Sequence, residues 1–167
     1  MGQHPYDAWD KLLKLNVQGM FHLTQSLLPL LLKAASPEDP ARVVNVGSVM
    51  GEVPKGTATY SYAVSKGAVH HMTRVLSNDL APEFITVNAI APGPFPSKMT
   101  DFALGSEEGR AESAKGVPLG RVGTPEDIAG ALQFLCSRAG AYVSGAILPL
   151  SGGMQSAAPI SIFNEDL

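Results

Sequence analysis

Residues 42–48, Arg42-Val43-Val44-Asn45-Val46-Gly47-Ser48, decide the fold. Valine nearly fills this run, and β-branched side chains favour extended backbone. A strand that is apolar at successive positions is one buried on both faces, which is the habit of parallel sheets. A Gly/Pro-containing loop, 51–59, follows, and then a helix from about Tyr60 to Leu80 with Pro82 just beyond its end. Ile85-Thr86-Val87-Asn88-Ala89-Ile90-Ala91 is a second strand, stopped by Pro92-Gly93-Pro94. Ala146-Ile147-Leu148-Pro149-Leu150 is a third. Pro149 removes a ladder donor, so this strand belongs at an edge.

Working outward, Asp7 is placed to cap a helix starting near Ala8. Its apolar positions Trp9, Leu12, Leu13, Val17, Met20, Phe21, Leu23, Leu27 and Leu28 recur at helical spacing. Pro29 should kink or loosen the last turns. Residues 36–40 read as a solvated loop, and 97–120 as a polar, flexible excursion. Thr124-Pro125-Glu126-Asp127 carries a cap, a first-turn proline and two acids, a strong helix start. That helix presents Ile128, Ala131, Leu132 and Leu135 on one face. The order helix, strand, helix, strand, helix, strand predicts an α/β fold, a Rossmann-like parallel sheet with helical crossovers. One domain is expected over residues 1–153, followed by a tail, 154–167, whose Ile160, Ile162 and Phe163 give no clear pattern.

Composition narrows the function classes. Apolar residues make up 45% of the 167-residue chain and charged residues 16%, which reads as globular rather than disordered. A net charge of −3 without a basic cluster argues against a nucleic-acid partner. The longest apolar run, 27–32, is too short to cross a bilayer, so no membrane association is expected. The N-terminus lacks the basic flank and apolar core of a signal peptide, and Tyr6 stands where a myristoylation motif needs Ser or Thr. One cysteine, Cys136, permits no internal disulfide and is expected to pack as a small buried hydrophobe. A disulfide-free chain fits a reducing compartment, so the expected location is the cytoplasm.

The chemistry centres on Tyr62-Ala63-Val64-Ser65-Lys66. Four residues apart on a helix, Tyr62 and Lys66 share a face. A phenol titrates at about 10, too high for easy proton exchange at neutral pH. A neighbouring ammonium favours the phenolate, so the phenol becomes usable as a general acid or base. Ser48 ends the first strand, and catalytic groups in open α/β sheets gather at the carboxyl ends of strands. Its hydroxyl is suited to hydrogen-bond a substrate carbonyl beside Tyr62. Tyr60 is a rival for Tyr62, but the residue four further on is Val64, not a lysine. His70 and His71 point to different sides of a helix and cannot pair on a metal. They are expected at the surface or an interface, and no metal site is expected.

These residues, together with Asn16 in Leu15-Asn16-Val17-Gln18-Gly19 and the run Asn88-Ala89-Ile90-Ala91-Pro92-Gly93, occur in an order that resembles the short-chain dehydrogenase/reductase family. The resemblance covers roughly residues 7–153. The segment from Pro92 to Thr100 is similar to members of the 3-oxoacyl-carrier-protein reductase type, including rhamnolipid-pathway reductases. The resemblance implies an NAD(P)-dependent oxidoreductase acting on a small-molecule carbonyl or alcohol, with NADP as the expected cofactor and NAD also compatible. It implies a catalytic set of Asn16, Ser48, Tyr62 and Lys66. Tyr62 would exchange the proton, Ser48 orient the substrate oxygen, and Lys66 tune Tyr62 and hold the nicotinamide ribose. Asn16 would open its helix and hold a water leading from Lys66 to solvent. Tyr62, Lys66, Pro92, Gly93, Phe95 and Ser97 would meet the cofactor; Ser97 stands where the family usually has threonine.

The family's glycine-rich phosphate turn does not occur before the first helix. The resemblance therefore implies a Rossmann-like sheet truncated to its last three strands in these 167 residues. The helices near 7–33 and 60–80 would lie between subunits of a homo-oligomer. A second reading follows, that of an oligomerisation or interaction module binding full-length relatives. A strand at 42–48 without its neighbour would expose a sheet edge and apolar helix faces. The chain is therefore expected to self-associate or to need a covering partner. Light scattering with an apolar dye tests this: assemblies or strong dye binding are expected, and a dye-silent monomer would contradict it.

Overall fold

The computed structural model describes residues 4–54 and 59–156. The N-terminal Met1-Gly2-Gln3, the middle of the 51–59 loop and the tail beyond Ser156 lie outside the described residues. Three strands, β1 (Ala41–Val46), β2 (Ile85–Pro92) and β3 (Ile147–Leu150), form one sheet in the order β1-β2-β3. Both pairings are parallel, with Val43 opposite Val87 and Ala91 opposite Pro149. Among the described residues Pro149 thus sits on an edge strand, where its missing N–H costs no ladder bond.

Side-chain alternation splits the core into two layers. On one face Ile85, Val87 and Val43 pack with Leu76 and Leu80 of α3 (Tyr60–Leu80) and with Leu28 and Leu31 of α2 (Gly19–Ala34). On the other, Val44, Ile90 and Leu148 pack with Ile128, Ala131 and Leu135 of α6 (Pro125–Cys136). β2 is buried along nearly its whole length. β1 is less so than its valines suggest. Val46 is 49% exposed, and the outer edge of β1 has no strand partner among the described residues. An apolar groove runs between α2 and β1, lined by Leu23, Leu27, Leu31 and Val44.

Several local expectations need correction. The first helix, α1, runs Tyr6–Leu13, so its cap position is Pro5 and not Asp7. Asp7 sits inside the first turn, 2.6 Å from Lys11 one turn on. α2 runs through Pro29 to Ala34 without a break. Residues 97–120 are not an irregular excursion: they form α4 (Asp101–Leu104) and α5 (Glu107–Ala114), and Leu104 and Val117 are buried. Ser106 caps α5 by accepting from the Gly109 N–H. Cys136 is exposed, because it follows the inward-facing Leu135 by one residue and so points about 100° away from it.

Buried polar groups are paired where the layers meet. Asn88 donates to the Val143 carbonyl at 2.7 Å and accepts from the Ala146 N–H at 3.0 Å, fastening β2 to the turn before β3. Asn45 donates to Thr73 Oγ1 at 2.9 Å, tying β1 to α3. At the start of α6 the Asp127 carboxylate accepts from the Thr124 N–H and from both terminal nitrogens of Arg121. The Arg121 guanidinium holds that carboxyl well below the usual carboxylate range. Leu135, 1% exposed, is the anchor of α6 on the sheet. Leu135→Ala should cost about 2–5 kcal/mol in urea unfolding; a loss below about 1 kcal/mol would mean that α6 does not hold this core.

Candidate active site

The carboxyl ends of β1 and β2 and the first two turns of α3 surround a cavity of about 530 Å³, within the range usual for small-molecule sites. Ser48, Tyr62, Lys66, Pro92, Gly93, Phe95 and Ser97 all line it. The wall also includes Pro96, Met99, Thr100, Pro125 and Ile128. Of the expected catalytic and cofactor-binding residues, Asn16 alone stands outside this lining. Tyr60 does not line the cavity either.

Each position has a local cause. Ser48 follows β1 and begins a short 3₁₀ turn, Val49–Gly51, in which its Oγ accepts from the Met50 N–H at 3.2 Å. Its own hydroxyl hydrogen is left for another acceptor. Tyr62 and Lys66 lie one turn apart on α3. Lys66 is 7% exposed. Its Nζ donates to the Val46 carbonyl at 2.8 Å and lies 5.7 Å from the centre of the Tyr62 ring. Burial pushes the Lys66 ammonium below the usual lysine value, since removal from water penalises the charged form.

Asn16 reaches the site through Ser65. Residues Lys14–Gln18 form a π-helical turn between α1 and α2, a local widening often found at functional sites. From it Asn16 Nδ2 donates to Ser65 Oγ at 3.0 Å, and Ser65 Oγ donates to the Tyr62 carbonyl at 2.7 Å. Asn16 thereby braces the turn of α3 that carries Tyr62. Ser97 turns its hydroxyl to Thr100 Oγ1, 3.0 Å away, and Thr100 Oγ1 donates to the Phe95 carbonyl at 2.7 Å. These bonds close the turn after β2 and set Phe95 between this cavity and a second one of about 330 Å³.

The sequence reading misplaced one residue here. His70 is 2% exposed, not at a surface; His71 beside it is exposed. The signal was available: 62, 66 and 70 are spaced by four, so the face that carries Tyr62 and Lys66 inward carries His70 with them. Met99, Thr100, Pro125 and Ile128 gave no such signal, because distant elements bring them together.

The architecture is thus a parallel sheet with helical crossovers, with a serine at one strand tip and a tyrosine and a lysine on the helix that follows it. The sequence profile of the family described as Enoyl-(Acyl carrier protein) reductase matches residues 2–155. The rhamnolipids biosynthesis 3-oxoacyl-[acyl-carrier-protein] reductase of Pseudomonas aeruginosa is 43% identical over 150 residues, 90% of this chain and 59% of that protein. The 3-oxoacyl-[acyl-carrier-protein] reductase FabG of Aquifex aeolicus is 36% identical, over 87% of this chain and 56% of that protein. Among solved structures, the Pseudomonas aeruginosa RhlG/NADP active-site complex superposes with a TM-score of 0.89 at 41% identity, covering 93% of this chain and 60% of that one. The chain belongs to the short-chain dehydrogenase/reductase family, and within it is similar to the 3-oxoacyl reductases. It spans less than two thirds of the length of these relatives.

Burial holds the His70 imidazole below its usual value; Glu52 opposes the shift, and Arg74 and Lys66 add to it. An unfolded chain then takes up the proton first as pH falls. The stability contributed by neutral His70 is complete above about pH 6.5 and is lost as pH drops toward the folded value. Urea midpoints should therefore fall on acidification below about pH 6.5, and His70→Gln should flatten part of that slope. An unchanged slope would contradict a buried neutral imidazole.

Proposed function

We propose that the natural protein carrying this sequence reduces a carbonyl to an alcohol at the expense of NADPH, with a 3-oxoacyl thioester as the favoured substrate class. The observation that carries the reading is the convergence of Ser48, Tyr62 and Lys66 on one cavity at the strand tips. The cavity wall supports an acyl substrate, because Phe95, Met99, Pro125 and Ile128 are apolar. NADP is supported by the structural relative named for its NADP complex.

The residues suit a nicotinamide cofactor. An ammonium has three donors, and Val46 is the one acceptor of Lys66 among the described residues, so two remain for ribose hydroxyls. The turn Pro92-Gly93 with Phe95 and Ser97 offers backbone groups and a flat ring for the nicotinamide end. When bound, the cofactor supplies a hydride to the carbonyl carbon and leaves oxidised.

Ser48 donates a hydrogen bond to the substrate oxygen and fixes it beside Tyr62. As the carbon–oxygen π bond breaks, the Tyr62 hydroxyl gives its proton to that oxygen, and the product is the alcohol. Lys66, with its charge next to the ring, stabilises the phenolate left behind until solvent returns the proton. Asn16 keeps the Tyr62 turn in place through Ser65. We assign residues 1–153 to one domain, place the protein in the cytoplasm and expect a homo-oligomer. Among the described residues no helix is long and apolar enough to cross a membrane.

A second reading, an interaction module that binds relatives without turning over substrate, is favoured by the outer edge of β1, unpaired among the described residues, and by exposed Leu23 and Leu30 on α2. Calorimetry of the 167-residue chain with NADPH and NADH separates the two; micromolar binding would contradict the module. For the reductase, NADPH oxidation is followed on a panel of 3-oxoacyl thioesters and simpler ketones. Tyr62→Phe should lower the rate at least about 100-fold. Equal rates for the natural protein and the variant would remove Tyr62 from the mechanism.

A further inference from the structure

His70 lies behind the strand tip, on the α3 face that carries Tyr62 and Lys66, and does not line the cavity. Its ring is enclosed by the backbone of the Ser48 segment. At Gly47 an added Cβ would collide with His70 Nε2, and at Gly51 it would come within 2.8 Å of His70 Cε1. Both glycines leave the space that the imidazole fills, so the chain on either side of Ser48 is moulded onto this ring.

The polar atoms of the ring are specifically placed. The Ser48 N–H points at His70 Nε2 over 3.4 Å, and that nitrogen is its acceptor among the described residues. Buried backbone N–H groups need an acceptor, and a ring nitrogen can accept only if it carries no proton. The proton of a neutral His70 is therefore on Nδ1. This nitrogen is fully buried, without a hydrogen-bond partner among the described residues, and 3.6 Å from Glu52 Oε1. A carboxylate there favours a proton on the facing nitrogen. Lys66 and Arg74, one turn before and after on α3, oppose a second proton, as does burial.

We propose that His70 is a positioning residue for Ser48: as the neutral Nδ1–H tautomer it accepts the Ser48 backbone N–H through Nε2 and so sets where the serine hydroxyl stands at the cavity. Protonation would turn Nε2 into a donor facing a donor and push the Ser48 segment off the ring. The structural part stands on the contacts alone; the catalytic consequence rests on the reductase reading.

Two measurements test the two parts separately. Long-range proton–nitrogen NMR of the nitrogen-15-labelled chain near neutral pH reads the tautomer directly. A protonated Nδ1 with an unprotonated, hydrogen-bonded Nε2 is expected; a protonated Nε2 overturns the proposal whether or not the protein is a reductase. In the natural protein, His70→Gln keeps an acceptor at the place of Nε2, whereas His70→Leu fills the space without one. Leucine should lower kcat by about ten- to a hundredfold with little change in KM for NADPH, and should speed exchange of the Ser48 amide. Glutamine should restore most of both. Equal losses in the two variants, or a change in KM alone, would reduce His70 to a packing residue. Should the natural protein show no reductase activity, the tautomer and the Ser48 exchange rates still decide.

Discussion

A buried ammonium must find an acceptor, and Lys66 finds the Val46 carbonyl at the last residue of β1. Leaving such a charge unpaired in a protein interior is expensive. The bond therefore fixes α3 against the strand tip as firmly as it fixes the lysine. It sets Tyr62 one turn up the helix at the cavity mouth and brings His70 one turn down under Ser48. The geometry of the site is thus a by-product of how a helix satisfies one buried charge against the tip of one strand.

Around that contact the supporting bonds converge on backbone. Asn16 reaches Ser65, and Ser65 reaches the Tyr62 carbonyl; Thr100 holds the Phe95 carbonyl; His70 holds the Ser48 N–H. Ser48 and Lys66 each keep hydrogen-bonding capacity beyond the partner they have among the described residues, and the main chain around the cavity is held from behind. Such an arrangement keeps hydroxyls and an ammonium available for a ligand while restricting where they can go, which is what positioned acid–base chemistry requires.

The fold was legible because its signals are periodic. Valine-rich β1, the even apolar filling of β2 and the capped start of α6 each state their element locally, and Pro149 announced an edge strand before any sheet was visible. The site was legible where it rests on one helix and one strand end, as Ser48, Tyr62 and Lys66 do. It failed where placement depends on neighbours. His70 looked like a surface histidine because a histidine carries no hydrophobic signal, although its spacing from Lys66 held the answer. Cys136 looked buried because its neighbours are apolar, yet it turns outward after Leu135. Residues 101–114 looked irregular because polar short helices lack an apolar stripe; their order comes from a serine cap and from Leu104 and Val117 docking below.

The central claim is that Tyr62, Ser48 and Lys66 face a single ligand together. Magnetisation transfer between the nicotinamide ring protons of NADPH and the protein's aromatic side chains tests it most directly, using ring-labelled tyrosine and phenylalanine in the natural protein. The account predicts transfer to Tyr62 and Phe95 and none to Tyr60 or Tyr142. Bound cofactor whose nicotinamide contacts neither Tyr62 nor Phe95 would contradict it.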